Sequence, residues 1–276
     1  MSDEAEFEHT GRKIEDEVRI EAPPEDVYRA WSDPRTITAW FVGRMEGQMD
    51  EGEAVEWYWD ETDPGMTQRV VVADPPHRLV TAMELPQGVS YLEVTIEQEG
   101  GHSVLRLVQS GFGEGPEWDD EYEGMLSGWM IALAILKFFA ERYFGRQRRE
   151  IVVLADASFD REGILELQRA EGGLSRWLTR SGAPGDGVGE PVRLVLENGR
   201  TLTGTVLRNT AQETLWSWDE IEGVVELKAF RGAAWGSKVG IRISSWMETA
   251  ADLAELEGWL SSVVGKLASV LTEGAS

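Results

Sequence analysis

Histidines, which often serve in acid–base catalysis and metal binding, are few in this chain and lie far apart. The three histidines are His9 in an acidic N-terminal stretch, His77 beside two prolines and His102 after two glycines. No histidine has a second one four residues away, as a metal pair on a helix would, and no G-x-S-x-G turn marks a serine nucleophile. We therefore expect the histidines in solvent-exposed turns, and we predict neither metal ligands nor catalytic residues.

Gln109 is a polar residue at the end of an apolar strand, just before a Ser-Gly turn. A glutamine side chain donates and accepts hydrogen bonds, but it cannot act as a general base at neutral pH. Gln109 therefore favours ligand binding over catalysis. Two alternatives stay open: a hydrogen bond that only caps the adjoining loop, and an enzyme that uses Gln109, Tyr91 and Glu93 as polar cavity residues.

The composition excludes several classes of protein. The chain has no cysteine, so disulfides, thiolate metal sites and cysteine nucleophiles are excluded. Its 50 acidic residues against 26 basic ones give a net charge of −24, which repels nucleic acid and anionic membranes. Such a surface either keeps an ordinary protein soluble or adapts it to a salty cytoplasm. We expect no nucleic-acid partner and no cofactor.

The N-terminal segment is acidic and lacks both the basic start and the apolar stretch of a secretion signal. The longest apolar run, residues 129–136, is too short to cross a bilayer. These two observations predict a cytoplasmic protein that has no membrane partner.

A strand, a polar loop and a helix that opens with Gly-Trp occur twice in the chain. The first copy has the strand 105–112 and then Gly128-Trp129, and the second has the strand 241–246 and then Gly258-Trp259. Each half reads as a strand, short helices, an antiparallel meander and a long helix. We predict an acidic disordered tail over residues 1–12, a first domain over 13–148 and a second over 149–276.

The long helix of the first half is apolar on two faces. Trp129 and Leu133 lie on one face, and Ile135 and Phe138 lie on another. A helix with two apolar faces needs two covering partners. We therefore predict that Ile135 and Phe138 contact the second domain or another copy of the chain.

The order of elements resembles the helix-grip fold of the START-like (SRPBCC) superfamily, an α+β fold in which a curved antiparallel sheet wraps around a long C-terminal helix. The first half is similar to the branch related to the activator of the heat-shock chaperone ATPase. The resemblance rests on residues 23–31, Trp40-Phe41, the turn Asp74-Pro-Pro-His77, Gln109-Ser-Gly-Phe112 and Gly128-Trp129.

The second half matches this pattern at fewer positions. Trp177-Leu178 stands where Trp40-Phe41 would, but no counterpart of Pro75-Pro76 follows. We expect a second, diverged helix-grip domain, and the alternative is a different α+β module that supports the first.

The resemblance implies a cavity between the helix and the sheet, which relatives often use for small apolar ligands. The candidate lining residues are Trp57, Trp59, Met83, Gln109, Phe112, Trp129 and Leu133, and the alternative is a packed core. Relatives of this branch often carry a histidine at the position of Gln109, so the glutamine weakens any claim of catalysis. Trp235 is either an exposed anchor for a partner or a side chain tucked into its loop.

We therefore predict non-catalytic binding of a small hydrophobic molecule in the first domain. One alternative is a protein-binding module similar to the chaperone ATPase activator, with a chaperone or a second copy of the chain as its partner. Another is a cyclase-like or hydrolase-like enzyme.

Overall fold

The computed structural model describes residues 9, 11–60, 64–85, 88–169, 171–232, 236–247 and 253–274. The first half contains β1 (Arg12–Ile20), α1 (Pro24–Ser32), α2 (Pro34–Ile37), β2 (Arg44–Glu46), β3 (Ala54–Tyr58), β4 (Met66–Asp74), β5 (Arg78–Leu85), β6 (Gly88–Glu99), β7 (His102–Phe112) and α3 (Asp119–Arg142). Its seven strands form one antiparallel sheet in the order β1-β7-β6-β5-β4-β3-β2.

The second half repeats this plan with β8 (Arg149–Asp156), α4 (Arg161–Arg169), α5 (Glu171–Leu174), β9 (Thr179–Pro184), β10 (Pro191–Leu196), β11 (Thr201–Asn209), β12 (Thr214–Trp218), β13 (Gly223–Gly232), β14 (Gly236–Ser245) and α6 (Leu253–Gly274). Its strand order, β8-β14-β13-β12-β11-β10-β9, is that of the first sheet. The prediction of two helix-grip domains is confirmed, and the alternative of a different module for the second half is wrong.

Local sequence explains how the two short helices of the first half begin. In α1, Pro24 occupies the first turn together with Glu25 and Asp26, where a fixed φ and negative charge favour a helix start. Asp33 follows α1 and accepts hydrogen bonds from the backbone N–H groups of Arg35 and Thr36, which caps α2. One aspartate therefore separates the two short helices.

Strand pairing fixes which positions of the two domains are equivalent. Ile14 of β1 lies opposite Gln109 of β7, and Ile151 of β8 lies opposite Ile243 of β14. The sequence repeat alone would align Leu105 with Ile241 and therefore Gln109 with Ser245. The strand pairing instead aligns Gln109 with Ile243, two residues earlier in the chain. The first sheet carries a β-bulge between Arg12 and Ile14 that the β8–β14 pairing lacks.

Contacts divide the chain into two compact units. One comprises residues 1–122 and 136–145, and the other comprises 123–135 and 146–276. The first half of α3 is thus grouped with the second sheet. The domain boundaries at residues 12 and 148 stay predictions, and residues 1–8 and 10 of the predicted tail lie outside the described part of the chain.

Helix α3 is long and apolar enough, by length and composition, to cross a membrane, although its uninterrupted apolar run is short. In the structure, 61% of the most apolar 18-residue segment of this helix is buried, as in the core helix of a soluble domain. Its two apolar faces are both buried, since Trp129 and Leu133 are 5% and 1% exposed and Ile135 and Phe138 are 2% and 5% exposed.

Candidate functional site

A row of buried polar side chains crosses one face of the first sheet. This face, called here the inner face, also carries apolar residues such as Ile14, Leu92 and Leu107, while the opposite face carries exposed residues such as Arg106. The row consists of one residue from each of β4 to β7: Gln68, Thr81, Ser90 and Gln109. All four side chains are more than nine-tenths buried.

Hydrogen bonds link neighbouring members of this polar row. Gln109 donates from Nε2 to Ser90 Oγ at 3.3 Å, and Ser90 Oγ donates to the carbonyl of Ser110 at 2.7 Å. Thr81 donates its hydroxyl to Gln68 Oε1. The row contains hydroxyls and amides only, so it can orient a ligand by hydrogen bonds but holds no group that titrates near neutral pH.

An aromatic cluster adjoins the row at β3. Phe41 stacks on Trp40 with ring centroids 5.0 Å apart, and it stands edge-to-face against Trp57 at 5.5 Å and against Trp59 at 5.9 Å. Trp57 is 1% exposed, and its indole Nε1 is buried without a hydrogen-bond partner. The β3 end of the inner face is therefore aromatic, with one unsatisfied donor.

The structure brings together some of the residues predicted to line a ligand cavity. Trp57, Met83 and Gln109 share the inner face, and Met83 pairs with Ser90 of the polar row. Trp59 is half-buried beside Phe41. That these residues line a ligand cavity stays a prediction.

The remaining predicted residues lie elsewhere. Phe112 is half-buried and packs edge-to-face on Tyr122, with ring centroids 5.4 Å apart. Trp129 and Leu133 are buried, but they belong to the part of α3 that is grouped with the second unit. The partner contacts of Ile135 and Phe138 stay predictions, and Trp235 lies outside the described residues.

The second domain is apolar at the positions equivalent to the polar row. Thr81 pairs with Leu92 in the first sheet, and Trp216 pairs with Val225 in the second. Because these two pairs are equivalent, Trp216 occupies in the second domain the position that Thr81 has in the first. In the same way Trp218 replaces Met83, Gly223 replaces Ser90 and Ile243 replaces Gln109. Trp216 and Trp218 belong to one continuous apolar core that also includes α6.

A second polar cluster lies on the opposite face of the first sheet and was not expected from the sequence. His9 donates from Nε2 to Glu93 Oε2 at 2.8 Å, and its Nδ1 shares a hydrogen bond of 2.9 Å with Ser110 Oγ. Arg78 donates from Nε to Glu93 Oε1 at 2.7 Å. The expectation that His9 lies in solvent is therefore wrong, because Glu93 and Ser110 bind its ring. Only the pairing of β6 with β7, which brings Glu93 and Ser110 together, could have predicted this contact.

A buried ionic network on the second sheet was also missed. Glu213 and Glu226 are 4% and 1% exposed. Lys228 Nζ lies 2.5 Å from Glu226 Oε1 and 3.3 Å from Glu213 Oε1, and Ser127 donates to Glu213 Oε2 at 2.7 Å. Glu226, Lys228 and Arg242 alternate with apolar residues along β13 and β14, but alternation alone predicts exposed charges.

Electrostatics separates the two buried glutamates. Burial raises the pKa of Glu213 above its ordinary value, and the nearby Lys228 offsets part of that rise. Burial also acts to raise the pKa of Glu226, but attraction to Lys228 and Arg242 outweighs burial and holds that pKa below its ordinary value. The network therefore favours one ionised and one more easily protonated carboxyl group.

Among the described residues, no group of three or more histidine, cysteine, aspartate or glutamate side chains is arranged to hold a metal ion. The absence of a cofactor stays a prediction.

The first half of the chain matches a known protein family. Residues 21–141 match the family described as activator of Hsp90 ATPase homolog 1-like protein. The resemblance of the first half to that family is thereby confirmed. No curated protein matches the chain.

Solved structures show similarity to one half or to the whole chain. Protein MLL2253 from Mesorhizobium loti is 23% identical and covers 48% of this chain and 98% of its own, with a TM-score of 0.43. DynU16, a putative protein of the dynemicin biosynthetic locus, is 17% identical over 95% of this chain and 100% of its own, with a TM-score of 0.41. The di-domain ARO/CYC BexL of the BE-7585A biosynthetic pathway is 14% identical over 94% of this chain and 92% of its own, with a TM-score of 0.46.

Proposed function

We propose that the first domain binds a small, largely apolar molecule. The match of residues 21–141 to the Hsp90 ATPase activator family and the tandem of two helix-grip domains support this proposal. The binding site is the inner face of the first sheet, where the polar row and the aromatic cluster orient the ligand without catalysing a reaction on it. We further propose that the protein acts in the cytoplasm, in keeping with a chain that has no cysteine for disulfides.

The observation that carries this proposal is the difference between the two inner faces. A buried hydrogen-bonded polar pair contributes little net stability, and replacing both partners by apolar side chains of similar shape can be neutral or stabilising. At the equivalent positions the second domain has Trp216, Gly223 and Ile243 and packs an apolar core. The fold therefore does not require polar side chains at these positions, and ligand binding accounts for their presence in the first domain.

The chemistry of the polar row supports binding rather than catalysis. Its two amides and two hydroxyls include no general base, and Ser90 donates its hydroxyl proton to the Ser110 carbonyl instead of to a histidine or carboxylate. The enzyme alternative relied on Tyr91 and Glu93. Those two residues occupy strand positions that alternate with Ser90 and Leu92, so they lie on the opposite face.

A neutral apolar fluorophore, N-phenyl-1-naphthylamine, tests the proposal directly. The full chain should enhance its emission saturably, and Thr81→Trp should reduce that binding because it introduces the side chain that Trp216 provides in the second domain. Thr67→Trp is the matched control, since Thr67 is an exposed residue of β4. Saturable binding that is equally strong in both variants would contradict the proposed site.

A further inference from the structure

Two buried donors on the inner face of the first sheet lack a strong acceptor. Trp57 Nε1 is buried and has no hydrogen-bond partner. The amide Nε2 of Gln68 donates only to the thioether sulfur of Met66 at 3.9 Å, and a thioether is a weak acceptor. Gln68 itself is 5% exposed, so water does not readily replace the missing acceptor.

The strand register places these donors side by side. Val55 pairs with Gln68 and Trp57 pairs with Met66 between β3 and β4, so Trp57 and Gln68 are diagonal neighbours on one face. Diagonal neighbours in an antiparallel pair lie about 7–8 Å apart, within reach of one polar group between long side chains. Phe41 stands edge-to-face to Trp57 at 5.5 Å, but an aromatic ring accepts an N–H only weakly.

The surroundings decide the charge of the acceptor. Of the described residues at inner-face positions of β3 to β7, none is a lysine, arginine, aspartate or glutamate. A carboxylate or phosphate buried there would have no cation at these strand positions to balance it, which is strongly unfavourable. A neutral oxygen acceptor satisfies both donors without that cost.

We infer that the ligand of the first domain is a neutral molecule with an apolar body and a carbonyl-type oxygen, and that this oxygen accepts hydrogen bonds from Trp57 Nε1 and Gln68 Nε2. The inference rests on the proposed function and adds the chemical class of the ligand and the two residues that select it. The apolar body packs against the aromatic cluster of Trp57, Trp59 and Phe41.

A matched pair of probes separates the hydrogen bond from apolar burial. The ketone 2-acetylnaphthalene carries the acceptor, and the alkene 2-isopropenylnaphthalene has nearly the same shape without it. The full chain should bind the ketone roughly five- to hundred-fold more tightly than the alkene, as two net buried hydrogen bonds allow. Isothermal titration calorimetry measures both dissociation constants.

Trp57→Phe removes the indole N–H and should reduce this preference for the ketone roughly three- to ten-fold, because the bond from Gln68 remains. Trp216→Phe is the matched control, because Trp216 Nε1 in the second domain is also buried without a partner. It should leave the preference unchanged. Gln68→Met, which keeps the side-chain volume, should reduce the preference in the same direction as Trp57→Phe, so the test does not depend on one variant folding.

The outcomes distinguish the inference from the proposed function. Equal binding of both probes by the wild type, or a preference for the ketone that survives both Trp57→Phe and Gln68→Met, would overturn the inference and leave apolar binding intact. Failure of the wild type to bind either probe would contradict the proposed function, and the inference with it.

Discussion

Trp177 makes in the second domain the hydrogen bond that Trp40 makes in the first. The indole Nε1 of Trp40 donates to the carbonyl of Ala30 at 2.8 Å, and that of Trp177 donates to the carbonyl of Leu167 at 2.8 Å. Each bond spans ten residues and ties the segment after the short helices to the end of the first of them. Because this contact is buried in both domains, it is a structural element of the repeat rather than a feature of the ligand site.

This relationship predicts parallel losses of stability. Trp40→Phe and Trp177→Phe should each lower the free energy of unfolding of their own domain by about 1–3 kcal/mol, because a buried carbonyl loses its donor. Urea denaturation followed by circular dichroism measures the effect. Trp259→Phe, at a half-buried position of α6, is the control and should change stability by less than about 0.5 kcal/mol. A loss confined to one domain would contradict the structural equivalence.

The polar row predicts opposite results for a reciprocal exchange. Gln109→Ile introduces the residue of the second domain and should keep or raise stability while weakening binding of N-phenyl-1-naphthylamine. Ile243→Gln buries an amide in the apolar core of the second domain and should cost about 1–3 kcal/mol without changing that binding. Thermal denaturation and fluorescence titration of the two variants provide the readouts. If only Ile243→Gln weakened binding, the probe would bind in the second domain, which would contradict the proposed site.

The ionic network predicts that stability depends on pH through Glu213. Its folded-state pKa is raised above the ordinary 4.5, so its contribution is complete below about pH 4.5 and is lost as the pH rises through the raised value. Glu213→Gln should therefore become more stable relative to the wild type as the pH increases from 4 to 8. Urea denaturation across this range measures the difference, and a difference that is constant with pH would contradict the assignment.

Glu226 should behave in the opposite way. Its folded-state pKa lies below the ordinary 4.5, so its contribution is present above that value and is lost as the pH falls through the lowered one. Glu226→Gln should cost about 3 kcal/mol near pH 7, because Lys228 and Arg242 then lose a buried partner, and less at acid pH. The same denaturation series tests it, and a loss that grows as the pH falls would contradict this account.

The net charge of −24 predicts a salt dependence of stability. Sodium chloride should raise the melting temperature while it screens repulsion between carboxylates, and the rise should level off near 1 M, where the Debye length is about 3 Å. Differential scanning fluorimetry at increasing salt measures this curve. A rise that continues to 3 M would instead indicate adaptation to a salty cytoplasm.

Much of the fold was predictable because it depends on local signals. Proline and acidic residues mark α1, and alternation marks the strands. The Gly-Trp pairs lie in the two long helices, but the prediction that each pair opens its helix is wrong, since α3 begins at Asp119 and α6 at Leu253. The equivalence of β7 and β14 was not predictable, since the sequence repeat places Gln109 two positions away from its structural counterpart Ile243. Strand register is set by pairing with another strand, which the repeated sequence does not reveal.

The candidate site was predictable only in part. Trp57, Met83 and Gln109 share one face because period-two alternation places them there. Gln68, Thr81 and Ser90 were missed, since no pattern along a single strand marks them, and they form a row only when the strands pair. The contacts of His9 with Glu93 and of Glu213 with Ser127 join residues 84 and 86 positions apart. No local pattern contains such contacts.

The measurement that tests the central claim most directly is native mass spectrometry of the purified full chain, followed by denaturing analysis of any molecule released. We expect a neutral, largely apolar small molecule on the wild type and on Ile243→Gln, and a reduced bound fraction on Gln109→Ile. A bare wild-type chain that also fails to retain added N-phenyl-1-naphthylamine would contradict ligand binding by the first domain.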